Sequence, residues 1–103
     1  MAWTLLGIAG LLEIAFALAM RSSLGFTRLW PSLLTVATGV SSVVLLSLAL
    51  RTLPVGTGYA VWTGIGAAGT ALLGMALLGD PVAPLRLACI ALILAGVIGL
   101  KLI

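Results

Sequence analysis

The chain alternates long apolar runs with short breaks that carry most of its charge. Residues 2–20, 32–50, 57–78 and 85–103 each come close to the roughly 20 apolar residues that a helix needs to cross a bilayer core. Between them lie RSSLGFTRLWP (21–31), RTLPVG (51–56) and GDPVAP (79–84), where glycine, proline and serine mark turns. Pro31 suits a helix start, Pro54 and Gly56 a tight turn, and Asp80 the cap of the last helix. The pattern predicts an all-α membrane protein with four spans, a single transmembrane domain over 1–103. Connections this short are expected to fold neighbouring helices up and down into a compact bundle.

Composition narrows the function. The chain is 63% hydrophobic and only 7% charged, against about a quarter charged in ordinary globular domains. With no length left for a soluble domain, the function must lie within the helices. The net charge of +3 comes from Arg21, Arg28, Arg51, Arg86 and Lys101 against Glu13 and Asp80. The cations stand singly near segment ends, as headgroup anchors do, and form no stripe that could track nucleic acid. Ala15, Ala17 and Ala19 have the small-residue spacing of a cleavage site. Without a positive n-region, and with Glu13 interrupting the apolar run, the first segment is expected to remain a span. One cysteine and no histidine exclude a disulfide framework and a histidine relay within one chain. No metal ligand cluster, cofactor motif or Ser-His-Asp set is present, so an enzyme is not expected.

Glu13 is the residue that needs a reason. An ionisable group at membrane depth costs about 2.5–3.5 kcal/mol on insertion scales and normally marks an ion or substrate path. Burial disfavours its charged form, as would a second Glu13 across a dimer, so it can hold a proton or a cation but not both. At helical spacing, Ala9, Gly10, Phe16 and Ala17 share its face, which places three small residues and one ring around the carboxylate. That leaves room for a guest. On the second segment Thr35, Thr38, Gly39 and Ser42 share a stripe, and on the third Tyr59, Trp62, Thr63 and Gly66 do. Their hydroxyls and indole N–H can orient a carboxylate, and their rings can bound a cation. Back-bonding to helix carbonyls is the usual fate of single serines and threonines in such helices.

Two glycine patterns have packing explanations. Residues 64–69 read GIGAAG, the spacing of a dinucleotide fingerprint, but no strand precedes them and they sit inside an apolar span. They suit close helix approach or a bend instead. In the fourth segment Cys89 and Gly96, among Ala88, Ala91 and Ala95, form a small-residue seam suited to a dimer contact or to packing within one subunit. Charge bias bears on such a dimer. With four spans, Arg51 and Lys101 fall on the side of the N-terminus and Arg21, Arg28 and Arg86 on the other. So weak an excess permits insertion in both orientations, and hence an antiparallel homodimer.

Glu13 within LLEIAFALAMRSSLGFTRLWPS and the run LPVGTGYAVWTGIGAAGTALLG together resemble the small multidrug resistance transporters over essentially the whole chain. The wording LPVGTGYAVWTGIGA, Ser42 and Lys101 are more similar to the guanidinium exporter subtype than to the quaternary-ammonium subtype. The resemblance implies a proton-coupled antiporter of the bacterial inner membrane, working as an antiparallel homodimer. Glu13 would then bind substrate and protons in turn, with Ser42 and Trp62 orienting the carboxylates. Tyr59 would gate or line the site, and Gly64 and Gly66 would place a bend in the third helix. The chain departs from that subtype at Phe16, where a tryptophan is common, and at Cys89, where a glycine is. An apolar ring at 16 favours hydrophobic cations, which keeps a quaternary-ammonium or polyaromatic exporter open as the alternative. A proteolipid-like assembly subunit with a membrane carboxylate is the rival from another class.

Overall fold

The computed structural model describes all 103 residues as four helices and their connections. They are α1 (Ala2–Ser22), α2 (Leu29–Ala49), α3 (Val55–Leu77) and α4 (Pro84–Leu102). At 1.5 Å per residue, helices of 19–23 residues reach about 29–35 Å, enough to span a bilayer core. Only 16 of 103 residues are buried, and the outward surface is largely leucine, valine and isoleucine, as lipid requires and water would not tolerate.

Local chemistry sets the helix ends. α2 starts at Leu29, ahead of Pro31, because a proline in the first turn gives up an N–H that would have no partner there. α3 starts directly after Pro54, so Gly56 lies inside the helix rather than in the turn. Pro84 opens α4 behind an extended Ala83, and no side chain caps that end. Asp80 therefore does not cap the last helix. Its N–H bonds the Gly74 carbonyl at 3.2 Å, and its carboxylate folds against Gly74 at the end of α3. The connection after α1 turns on Ser23, which is fully buried. Ser23 Oγ donates to the Met20 carbonyl at 2.6 Å and accepts the Phe26 N–H at 3.0 Å. Around it Leu24, Gly25 and Phe26 all adopt left-handed backbone, with φ of 50°, 74° and 65°.

The helices form a slab rather than a closed bundle. Its Cα atoms extend 41 × 34 × 16 Å, room for about two helix layers. α1 packs along α2 and α3, whereas the backbone of α4 comes close to α3 alone. Close approach is bought with glycine: a Cβ on Gly64 would collide with Val97 of α4, and one on Gly10 would stand 2.6 Å from Ile65 Cγ2 of α3. The core joins Leu6 and Ala9 of α1, Leu46 and Ala49 of α2, and Val61 of α3. Ala9 is one turn before Glu13, so this core forms the floor beneath the carboxylate.

Candidate functional site

Glu13 lies near the middle of α1, where α1, α2 and α3 meet. Its carboxylate rests on the bare backbone of Gly66, where an added Cβ would stand 2.7 Å from Oε1. Any side chain at 66 would displace the acid. Oε2 is buried and has no hydrogen-bond partner. A buried polar atom in that condition is costly unless a proton, a donor or a cation satisfies it.

A cleft of about 240 Å³ opens beside the carboxylate, lined by Glu13, Phe16, Gly39, Ser42, Val43 and Trp62. No lysine or arginine is among them. The Phe16 ring occupies the space that a side chain at Gly39 would fill, with Cδ1 and Cε1 at 2.8 and 2.9 Å from an added Cβ. Glycine at 39 thus lets the ring pack directly against α2 as one wall. Trp62 forms another, and the Tyr59 ring stands 5.3 Å from it, tilted by 58°, on a side chain that is more than half exposed.

The polar groups make one short relay. Trp62 Nε1–H donates to Ser42 Oγ at 2.9 Å, and the Ser42 hydroxyl donates to the Ala9 carbonyl at 2.6 Å. The relay ties α3 to α2 and α2 to α1, and stops one turn short of the carboxylate. Neither Ser42 nor Trp62 bonds Glu13 directly in this arrangement. Thr35, Thr38 and Ser41 return their hydroxyls to carbonyls of their own helix. They are therefore occupied as helix back-bonds.

Of the residues singled out from the sequence, Glu13, Phe16, Ser42 and Trp62 share the cleft. Tyr59 is outside the cleft lining, with its ring beside that of Trp62. Gly10 packs against Ile65, and Thr63 is exposed outside the cleft lining. Gly64 and Gly66 lie inside an uninterrupted α3, the first facing α4 and the second the carboxylate. Cys89 and Gly96 are exposed on α4, and nothing lies within 4 Å of a Cβ added at Gly96. Val43 was not anticipated, since nothing sets one valine of an apolar helix apart. The Ala9 carbonyl is a backbone acceptor and leaves no mark in the sequence.

Four apolar spans, three of which enclose one mid-depth carboxylate beside a small cleft, define an integral multi-pass membrane transporter. Comparison with known proteins supplies the family. The family model described as Small Multidrug Resistance protein matches residues 1–93. A protein of Citrobacter freundii named guanidinium exporter is 56% identical over 102 residues, covering 99% of this chain and 97% of the relative. Proteins of the same name from Yersinia pseudotuberculosis and Salmonella typhi are 55% and 54% identical, over 99% of this chain and 98% and 97% of their own lengths. The chain belongs to the small multidrug resistance family and is a protein of the bacterial inner membrane.

Proposed function

We propose that this chain is a proton-coupled antiporter that exports guanidinium and small substituted guanidinium ions, and that it works as an antiparallel homodimer. The observation that carries the reading is the Glu13 carboxylate, which lines the cleft and whose buried Oε2 has no hydrogen-bond partner. Guanidinium is planar and presents paired N–H donors that match the two oxygens of a carboxylate. The rings of Phe16 and Trp62 bound the same space and offer faces to a cation. At about 240 Å³ the cleft is smaller than the roughly 300–1,000 Å³ pockets that take drug-sized ligands, which favours a small ion. The relatives' name points the same way.

Exchange follows from exclusive occupancy. A proton on the carboxylate removes the charge that holds the cation, and the cation occupies the oxygens that a proton needs. Ser42 and Trp62 hold α1, α2 and α3 around the acid, and Tyr59, whose ring lies beside Trp62, would gate the approach of a guest. If two Glu13 side chains trade two protons for one guanidinium, one net charge crosses per cycle, worth about 2.3 kcal/mol per 100 mV. Gly64 and Gly66 are the positions at which α3 would bend as access changes sides. A slab this thin leaves the cleft in need of cover, and a second copy joined through the Cys89–Gly96 face of α4 would supply it. A Cβ added at Gly96 meets nothing within 4 Å in its own subunit, so Gly96→Leu should halve the mass in mild detergent and leave helicity unchanged. A dimer that survived would remove this seam from the reading.

Phe16 supports a second reading, export of quaternary-ammonium or polyaromatic cations, because its ring is a plain apolar wall. Transport currents on solid-supported membranes with guanidinium, methylguanidinium and tetrapropylammonium separate the two. Currents are expected with the first two and should vanish in Glu13→Gln. A current from tetrapropylammonium alone would favour the second reading, and substrate-driven proton uptake in Glu13→Gln would refute both.

A further inference from the structure

Trp3 stands between two clefts at the end of the molecule where α1 begins and α4 ends. One of them, about 470 Å³, is a groove among α1, α3 and α4 whose walls include Gly7, Val61, Ile65 and Ile98. Lys101 closes its end, with Nζ 5.8 Å from the centre of the Trp3 ring. Neither acidic side chain is near: Glu13 is mid-span and Asp80 follows α3 at the opposite end. A cation at headgroup level above an apolar channel fits an amphiphile with an anionic head.

We infer that this groove holds one anionic phospholipid, its phosphate on Lys101 and the first carbons of an acyl chain along Gly7 and Ile98. Charge complementarity selects the occupant. A zwitterionic headgroup brings its own ammonium to compete with Lys101 for the phosphate, and free phosphate lacks the chain that would cover the apolar walls. The helix geometry permits it as well. At 100° per residue, Ile98 and Lys101 lie roughly opposite Cys89 and Gly96 on α4, so the lipid leaves the proposed dimer seam free. The inference is independent of the transport reading, since the groove shares no residue with the Glu13 cleft.

Native mass spectrometry of the purified chain, titrated with phosphatidylglycerol or phosphatidylcholine of matched tails, reads occupancy directly. One phosphatidylglycerol per chain is expected, bound about five-fold more tightly than phosphatidylcholine, the factor that one cation near a headgroup supplies. Lys101→Gln should abolish the preference. Arg51→Gln should keep it, because Arg51 lines the cleft on the other flank of Trp3. Gly7→Leu should weaken both lipids by filling the groove, and it should fold, since an added Cβ there meets nothing within 4 Å. Millimolar inorganic phosphate should displace neither lipid. Equal retention of the two lipids, a preference that survives Lys101→Gln or is lost equally in Arg51→Gln, unchanged binding in Gly7→Leu, or displacement by phosphate would each overturn the site.

Discussion

Replacing Ser42 by alanine removes the hydroxyl through which three helices are joined. Ser42 is 1% exposed, and its Oγ accepts from Trp62 Nε1 at 2.9 Å while donating to the Ala9 carbonyl at 2.6 Å. The two losses are unequal. The Ala9 carbonyl keeps its place in the α1 ladder, whereas the half-buried indole N–H is left without an acceptor. An orphaned donor costs about 1–3 kcal/mol in a soluble core. Within a bilayer, measured couplings average about 0.6 and reach about 1.7 kcal/mol, because the unfolded chain in the membrane also finds partners. The membrane range applies at this depth, so a coupling of about 0.6–1.7 kcal/mol is expected between Ser42→Ala and Trp62→Phe. Reversible unfolding in mixed micelles of the wild type, both single variants and the double variant measures it, and the lost indole area cancels in the cycle. Ser42→Ala should cost more in the wild-type background than in the Trp62→Phe background. A coupling below about 0.3 kcal/mol, within the scatter of independent sites, would refute the relay as a mechanical tie.

Other positions offer equally direct tests. In Gly39→Ala the new Cβ needs the Phe16 ring, now 2.8 Å away, to retreat by about 1 Å to ordinary contact; the ring narrows the cleft, and bulky cations should lose transport rate before guanidinium does. Phe16→Trp places an indole donor beside Glu13 and should move preference toward bare guanidinium; an unchanged cation panel in both variants would remove this wall from the account. In the connection after α1, Phe26→Gly relieves a left-handed residue worth about 1–2 kcal/mol, less about 0.4–1 kcal/mol for the looser unfolded chain. The unfolding midpoint should therefore rise, and a fall would mean that the Phe26 ring is anchoring the loop.

Much of this was legible in the primary structure, for reasons that differ by residue. The four spans could be read because bilayer thickness sets the length of an apolar run, and Glu13 because a lone charge inside such a run has few explanations. Phe16 followed from helical spacing. The limits are as specific. α4 is the most apolar of the four, so nothing in its residues told which face would pack, and the expected bundle is a slab in which the backbone of α4 comes close to α3 alone. Leu29 and Trp30 read as loop because Pro31 looked like the first helical residue, although a proline is tolerated anywhere in the opening turn. Asp80 looked like a cap because such residues often precede helices, yet Gly74 offers it a bare surface nearer by. Ser42 and Trp62 stood out as polar groups at similar depth, but their partnership depends on a backbone oxygen of a third helix.

The hydrogen-bonded link at Ser42 also limits how this molecule can move. Fastened to one another at a single level, α1, α2 and α3 cannot slide apart there without breaking a bond that the hydrocarbon around them will not replace. In the proposed exchange that level would therefore tilt as one unit, with any bend of α3 lying beyond the tie, at Gly64 and Gly66. The yielding surfaces would then include the contact of Gly64 with Val97 and the approach of Lys101 to Trp3, through which α4 meets that trio.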